Sequence, residues 1–217
     1  MYRHSVRFSS LVYIATALCV TTLGVAPRGA GAQPAATKAN AKKDYTAADV
    51  AFMQGMIGHH AQAVVMGKMA VSHGANANVA NFCKKVIISQ RDEIELMQTW
   101  LTDRGQHAPE AATTPMAGHD MSGMNMADHA MMPGMLTPAQ MQQLEKAKGK
   151  EWDRLFLTFM IQHHEGALVM VKTLFDSPAG GQGPEIFGYA TGVDNDQRGE
   201  IERMQKMLVT LKEKNAK

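Results

Sequence analysis

The sequence predicts an all-α protein, a four-helix bundle built from two repeated helix hairpins. Three observations carry that reading. The stretch Met53-Gln-Gly-Met56-Ile-Gly-His59-His60-Ala-Gln-Ala63-Val-Val-Met66 has a second copy, Leu157-Thr-Phe-Met160-Ile-Gln-His163-His164-Glu-Gly-Ala167-Leu-Val-Met170. The register extends beyond the motif and pairs Asp49 with Asp153 and Phe52 with Phe156 at one constant offset, the mark of an ungapped internal repeat. Finally, each copy has helical apolar periodicity and is followed by a linker and a second periodic segment. A short connection between two helices makes them antiparallel neighbours.

Ahead of the repeats, Arg3 and Arg7 precede an apolar, nearly uncharged run from Phe8 to Ala26, and Ala30-Gly31-Ala32 offers a small-x-small cleavage site. This is the layout of a secretory signal peptide, so residues 1–32 are expected to be cleaved after Ala32, giving a periplasmic or secreted protein with no membrane segment. The alternative is an uncleaved anchor, because the apolar run is near the length that separates the two. Cleavage removes Arg3, Arg7 and Arg28, taking the 22 basic residues just below the 20 acidic ones. With no basic patch or interleaved aromatic set, nucleic acid is not an expected partner. Of the 2 cysteines only Cys83 survives cleavage, so no internal disulfide is possible. Residues 33–45 read as a flexible tether, 46–104 as the first hairpin, 105–136 as a Met/His-rich loop and 137–214 as a short helix plus the second hairpin. Residues 46–214 make one domain.

Thr46 and Asp49 form a capping box that opens a helix expected to run to about His73-Gly74. Met53, Met56, Ile57, His60 and Val64 share its apolar face, whereas His59 and Met66 fall on the flank. His60 is therefore expected in the core and His59 toward a neighbour or the rim. The next helix carries Val79, Phe82, Val86, Gln90, Glu93/Ile94, Met97 and Leu101. Gln197-Arg198-Gly-Glu200-Ile201-Glu202-Arg-Met204 repeats Gln90-Arg91-Asp-Glu93-Ile94-Glu95-Leu-Met97. Counting from each turn sets Gln90 level with His60 and Gln197 near His164, where a Gln is placed to hold the second nitrogen of a ligating imidazole. Thr137-Pro138-Ala-Gln140 is another capping sequence with Pro at the first helical position. It opens a short helix to about Lys148, broken at Gly149.

Residues 116–135 hold seven Met and two His, among them His119, Met121, Met124, Met126 and His129, within Gly, Ser, Asp and Pro. With no periodicity to bury the thioethers, this insert is expected to be disordered, and its composition reads as metal-binding. A neutral, polarizable thioether suits Cu(I), and imidazole binds either copper oxidation state. A lone buried His or Met would ordinarily be core filling. Here both copies keep His-His while much around it changes. The candidate ligands are His60 and His164, with His59, His163, Met56, Met160, Met53, Met66, Met170, Met97 and Met204.

The pattern Asp-x-x-Phe-Met-x-x-Met-Ile-x-His-His-x-x-Ala-x-x-Met, with its second copy from Phe156, resembles the bacterial family known as domain of unknown function 305. The resemblance covers roughly residues 44–212. It implies an exported, ferritin-like bundle, copper binding with a role in copper resistance, and ligands from the two His-His pairs with Met56, Met160 and nearby methionines. Leu157 stands where the first copy has Met53, which makes the half-sites unequal. The expected function is sequestration or relay of Cu(I) and/or Cu(II), not catalysis, with metal ions and other envelope copper-handling proteins as partners. A di-iron oxidase or storage protein is the alternative. It needs Glu on facing helices and Glu-x-x-His pairs, and no His here has Glu three positions before it. A metal-independent envelope module is the third reading.

Overall fold

A computed structural model describes residues 44–113 and 132–215. In chain order the helices are α1 (Ala47–Lys68), α2 (Ala77–Asp103), α3 (Pro138–Lys146), α4 (Gly149–Asp176) and α5 (Pro184–Asn215). The four long ones are the two repeated hairpins: α1 packs on α2, α4 on α5, and the hairpins join through α1 against α4. Among the described residues no helix is long and apolar enough to cross a membrane. The expected leader, residues 1–32, and His119, Met121, Met124, Met126 and His129 of the insert lie outside the described residues.

The helix starts follow the capping chemistry of the sequence. Thr46 and Asp49 make the reciprocal capping box of α1, and Thr137 and Gln140 make that of α3, with Pro138 at its first turn. Asn76 caps α2 by accepting from the backbone N–H groups of Asn78 and Val79. α1 ends earlier than its apolar pattern suggests, at Lys68 rather than His73-Gly74. There the N–H groups of Met69 and Ala70 reach Met66 O and Gly67 O at 3.2 Å each, a tightening to i→i−3 bonding that closes a helix. The His73 ring then lodges between the carbonyls of Met69, at 2.8 Å, and Glu145, at 2.9 Å, tying the end of α1 to the end of α3.

Two buried aspartates align the hairpins. Asp49, near the start of α1, accepts from Gly181 N at 2.7 Å in the α4–α5 turn. Asp153, near the start of α4, accepts from Asn76 N at 3.2 Å and Asn76 Nδ2 at 2.6 Å in the α1–α2 turn. Each repeat thus holds the turn of the other, which makes α1 and α4 antiparallel and related by a local two-fold.

The core falls into two apolar blocks. One gathers Ala63, Met66, Val79, Phe82, Val86, Trp152, Phe156, Met160 and Met204. The other gathers Phe52, Met53, Met56, Ile57, Ile94, Met97, Trp100, Leu101, Val171 and Ile186. Between the blocks every long helix turns polar in its core-facing positions: His59 and His60 on α1, Gln90 on α2, His163 and His164 on α4, Gln197 on α5.

Replacing Asp153 with Ala strands the Asn76 donors, and leaving a buried donor unpaired costs about 2 kcal/mol. The expected result is a melting temperature lowered by roughly 4–8 °C with helicity retained. An unchanged melting temperature would mean that apolar packing alone joins the hairpins.

Candidate metal centre

All four repeat histidines are fully buried, at 0 % exposure, in the polar layer between the two core blocks. His59 is therefore not at the rim. α1 is covered on nearly every side, by α2, by α4 and by residues 132–136, so the flank that carries His59 and Met66 is buried as well. The His59 and His163 rings face each other across the α1–α4 contact with centroids 3.9 Å apart, tilted by 38°.

The outer pair is held by carboxylates. His60 Nε2 lies 2.5 Å from Glu93 Oε2, and His164 Nε2 lies 2.6 Å from Glu200 Oε2. Both glutamates are largely buried, their side chains 19 % and 13 % exposed. The expectation that Gln90 and Gln197 hold these nitrogens is corrected. Both glutamines are buried in the layer, but their Oε1 atoms meet no protein donor. The carboxylate nearly one turn further along each helix is the stronger acceptor and takes the imidazole N–H. The signal was present in the sequence, since Glu93 and Glu200 are matched in the repeat.

Residues 132–136, where the insert rejoins the bundle, form a strap over the inner pair. The Pro133 carbonyl oxygen lies 3.0 Å from His59 Nε2. Gln62 clamps Leu136, donating to its carbonyl at 3.1 Å and accepting from its N–H at 2.8 Å, while Gln162 donates to Gly134 O at 3.3 Å. The strap lies on bare backbone. A Cβ at Gly166 would stand 2.0 Å from Pro133 O, and Gly134 itself has φ +76°, so glycine is required at both positions. Met132, which composition alone does not single out from the insert, places its sulfur against Gly55 beside the Met170 methyl, each 3.4 Å from where a Cβ would be.

The other sequence-selected methionines are distributed rather than gathered. Met53, Met56 and Met97 lie in one apolar block, Met66, Met160 and Met204 in the other, all at 0 % exposure, with Met170 half-buried at the edge of the first. Because α1 and α4 are antiparallel, Met56 and Met160 flank the histidine layer from opposite sides. They do not form one shared Met-His cage.

Five imidazole nitrogens in this layer are buried without a protein partner: Nδ1 of His59, His60 and His164, and both nitrogens of His163. Among the described residues no three His, Cys, Asp or Glu side chains are drawn together at the spacing of ligands to one ion, and the two carboxylates are engaged with histidines. Neutral imidazole lone pairs with thioethers to either side suit a soft or borderline transition metal, and do not suit Mg or Ca.

Electrostatics keep the inner pair neutral. Burial, followed by the neighbouring His60 ring, pushes His59 from 6.5 down to about 3. Burial and then the His59 ring hold His163 well below the usual imidazole range.

A doubled helix hairpin closed around buried histidines defines the class: an all-α bundle with an internal nitrogen-rich layer. The chain belongs to the DUF305 family, whose model, Domain of unknown function (DUF305), matches residues 49–208. It is similar to a DUF305 fragment from Deinococcus radiodurans, 29 % identical with TM-score 0.62, covering 76 % of this chain and 98 % of that one. A DUF305 protein from Streptomyces coelicolor is 27 % identical with TM-score 0.61, covering 77 % and 94 %. CopM in its Cu(II)-bound form shares the fold at 23 % identity and TM-score 0.56, covering 75 % and 96 %. A comparison with curated proteins finds no match.

The neutral inner pair makes a pH prediction. In the unfolded chain His59 and His163 take up protons below about pH 6.5, whereas the folded protein resists this until about pH 3 at His59. The unfolded state binds more protons in that window, so stability falls as pH falls, by up to about 1.4 kcal/mol per pH unit for each ring. Above the 4.5 of an ordinary glutamate, carboxylates contribute little to the slope. The melting temperature of the metal-free protein should drop steadily between pH 6.5 and 5, and H59L and H163L should flatten the profile. A flat wild-type profile would mean that the buried rings are not held neutral.

Proposed function

We propose that this protein binds copper in its exported form, sequestering or relaying the ion rather than catalysing a reaction. The observation that carries the reading is the set of five buried imidazole nitrogens without protein partners, in an otherwise apolar core where an unpaired polar group costs stability. In the neutral state four of them, one on each ring, carry a lone pair and the fifth is an N–H of His163, and a metal ion offers those lone pairs what the protein does not. The thioethers of Met56 and Met160, one on each side of the layer, extend the donor set toward Cu(I). CopM supports the reading from outside, since this fold is known there in Cu(II)-bound, Cu(I)-bound and Ag-bound forms.

His60, His164, His59 and His163 are the proposed imidazole ligands, although no three of them already stand at the spacing of ligands to one ion. The strap carrying Met132 links the layer to the Met/His-rich insert, which collects metal and passes it inward. Location outside the cytoplasm rests on the leader of residues 1–32, and the Streptomyces coelicolor relative is itself designated a secreted protein. Partners are then metal ions and other copper-handling proteins of the envelope.

His60→Leu and His164→Leu test this. Leucine keeps apolar bulk, so the metal-free fold should persist. Copper affinity by competition titration should fall at least about tenfold in each, equivalent to about 1.4 kcal/mol. The exposed His107 is the control; His73 is unsuitable because it joins α1 to α3. Wild-type affinity and stoichiometry in both variants would remove the histidine layer from copper binding.

A further inference from the structure

Three of the four repeat histidines are held in the same way, by groups from three different elements. His60 Nε2 meets Glu93 of α2, His164 Nε2 meets Glu200 of α5, and His59 Nε2 meets the Pro133 carbonyl of the strap. A carboxylate and a backbone carbonyl only accept hydrogen bonds. In each case the ring must donate, so a neutral ring carries its proton on Nε2 and its lone pair on Nδ1. The Nδ1 atoms of these three rings are also the ones that are buried without a protein partner.

Packing alone does not account for this agreement. Drawing two carboxylates into a buried layer carries a desolvation cost, and a Met or Leu at either position would fill the space without it. What the acceptors add is a fixed tautomer and ring orientation, and the two charged ones also make Nδ1 a stronger donor to a cation. His163 differs, since neither of its nitrogens is held, so it is free to present either.

We propose that His59, His60 and His164 offer copper their Nδ1 atoms, and that Glu93, Glu200 and the Pro133 carbonyl are the positioning groups that enforce this. The inference rests on the copper reading above for the identity of the metal. The tautomer pattern stands without it. It also assigns the strap a role, because the end of the Met/His-rich insert sets the donor atom of His59 directly.

The test begins with metal-free protein labelled with 15N, in which long-range 1H–15N correlations show which nitrogen of each ring carries hydrogen. The expected spectrum has Nε2–H and bare Nδ1 at His59, His60 and His164. In Glu93→Leu, His60 should lose its single tautomer while His164 keeps its own, and Cu(II) affinity should fall by about 10–100-fold. Glu93→Gln retains an oxygen acceptor without the charge. It covers the case in which the Leu variant fails to fold, and it should give a smaller loss with the tautomer preserved. The exposed, repeat-matched Glu95 and Glu202, replaced by Gln, should change neither readout. An Nδ1–H tautomer at these rings in the metal-free protein would overturn the proposal. So would wild-type copper affinity in both Glu93 variants. If the wild-type protein takes up no copper, the functional reading falls, and the metal-free spectra alone decide whether the acceptors fix the proton.

Discussion

Burying four imidazoles at one level of a helical bundle is the constraint on which the rest of this structure depends. Each ring brings two polar nitrogens into the buried interior, where an unpaired polar group is costly. The fold meets part of that cost by supplying acceptors from three directions. Glu93 and Glu200 reach in from α2 and α5, and the strap brings the Pro133 carbonyl down onto His59. The remaining nitrogens have no protein hydrogen-bond partner among the described residues. The bare Gly134–Gly166 contact is a consequence of the same demand, since any side chain at Gly166 would lift the strap away from His59.

Antiparallel pairing of the repeats decides how the sulfur ligands relate to that layer. The sequence leaves open whether the two half-sites join, and it places Met56 and Met160 equivalently, one turn before their histidines. The two-fold that joins α1 to α4 sends them to opposite sides. The histidine layer is therefore flanked by a thioether toward each apolar block rather than joined to both in a compact cage. Met132 and Met170 lie together at Gly55, where the insert returns.

Much of this was legible before any coordinates. The repeat defined two hairpins, the capping residues Thr46 and Thr137 sit where their helices begin, and the doubled His-His motif marked the centre. What could not be read was contact between elements far apart in sequence. Periodicity placed His59 on a flank because it describes one helix, whereas burial on that flank comes from α4 and from a strap more than seventy positions away. Counting from the turns located the correct level for α2 and α5 but not the side chain that bonds there. Gln90 and Glu93 are nearly one turn apart, and the stronger acceptor prevailed. The early end of α1 depends on His73 meeting the Glu145 carbonyl, which local pattern does not reveal.

The central claim is that the buried histidine layer is where copper resides. The most direct measurement is copper K-edge X-ray absorption on protein spanning residues 33–217, titrated with Cu(I) and with Cu(II) to its tightest equivalent. The account predicts imidazole nitrogen in the first coordination shell for both oxidation states, joined by sulfur for Cu(I). A tightest site with sulfur ligands alone and no imidazole scattering, or the absence of tight binding in either state, would contradict it.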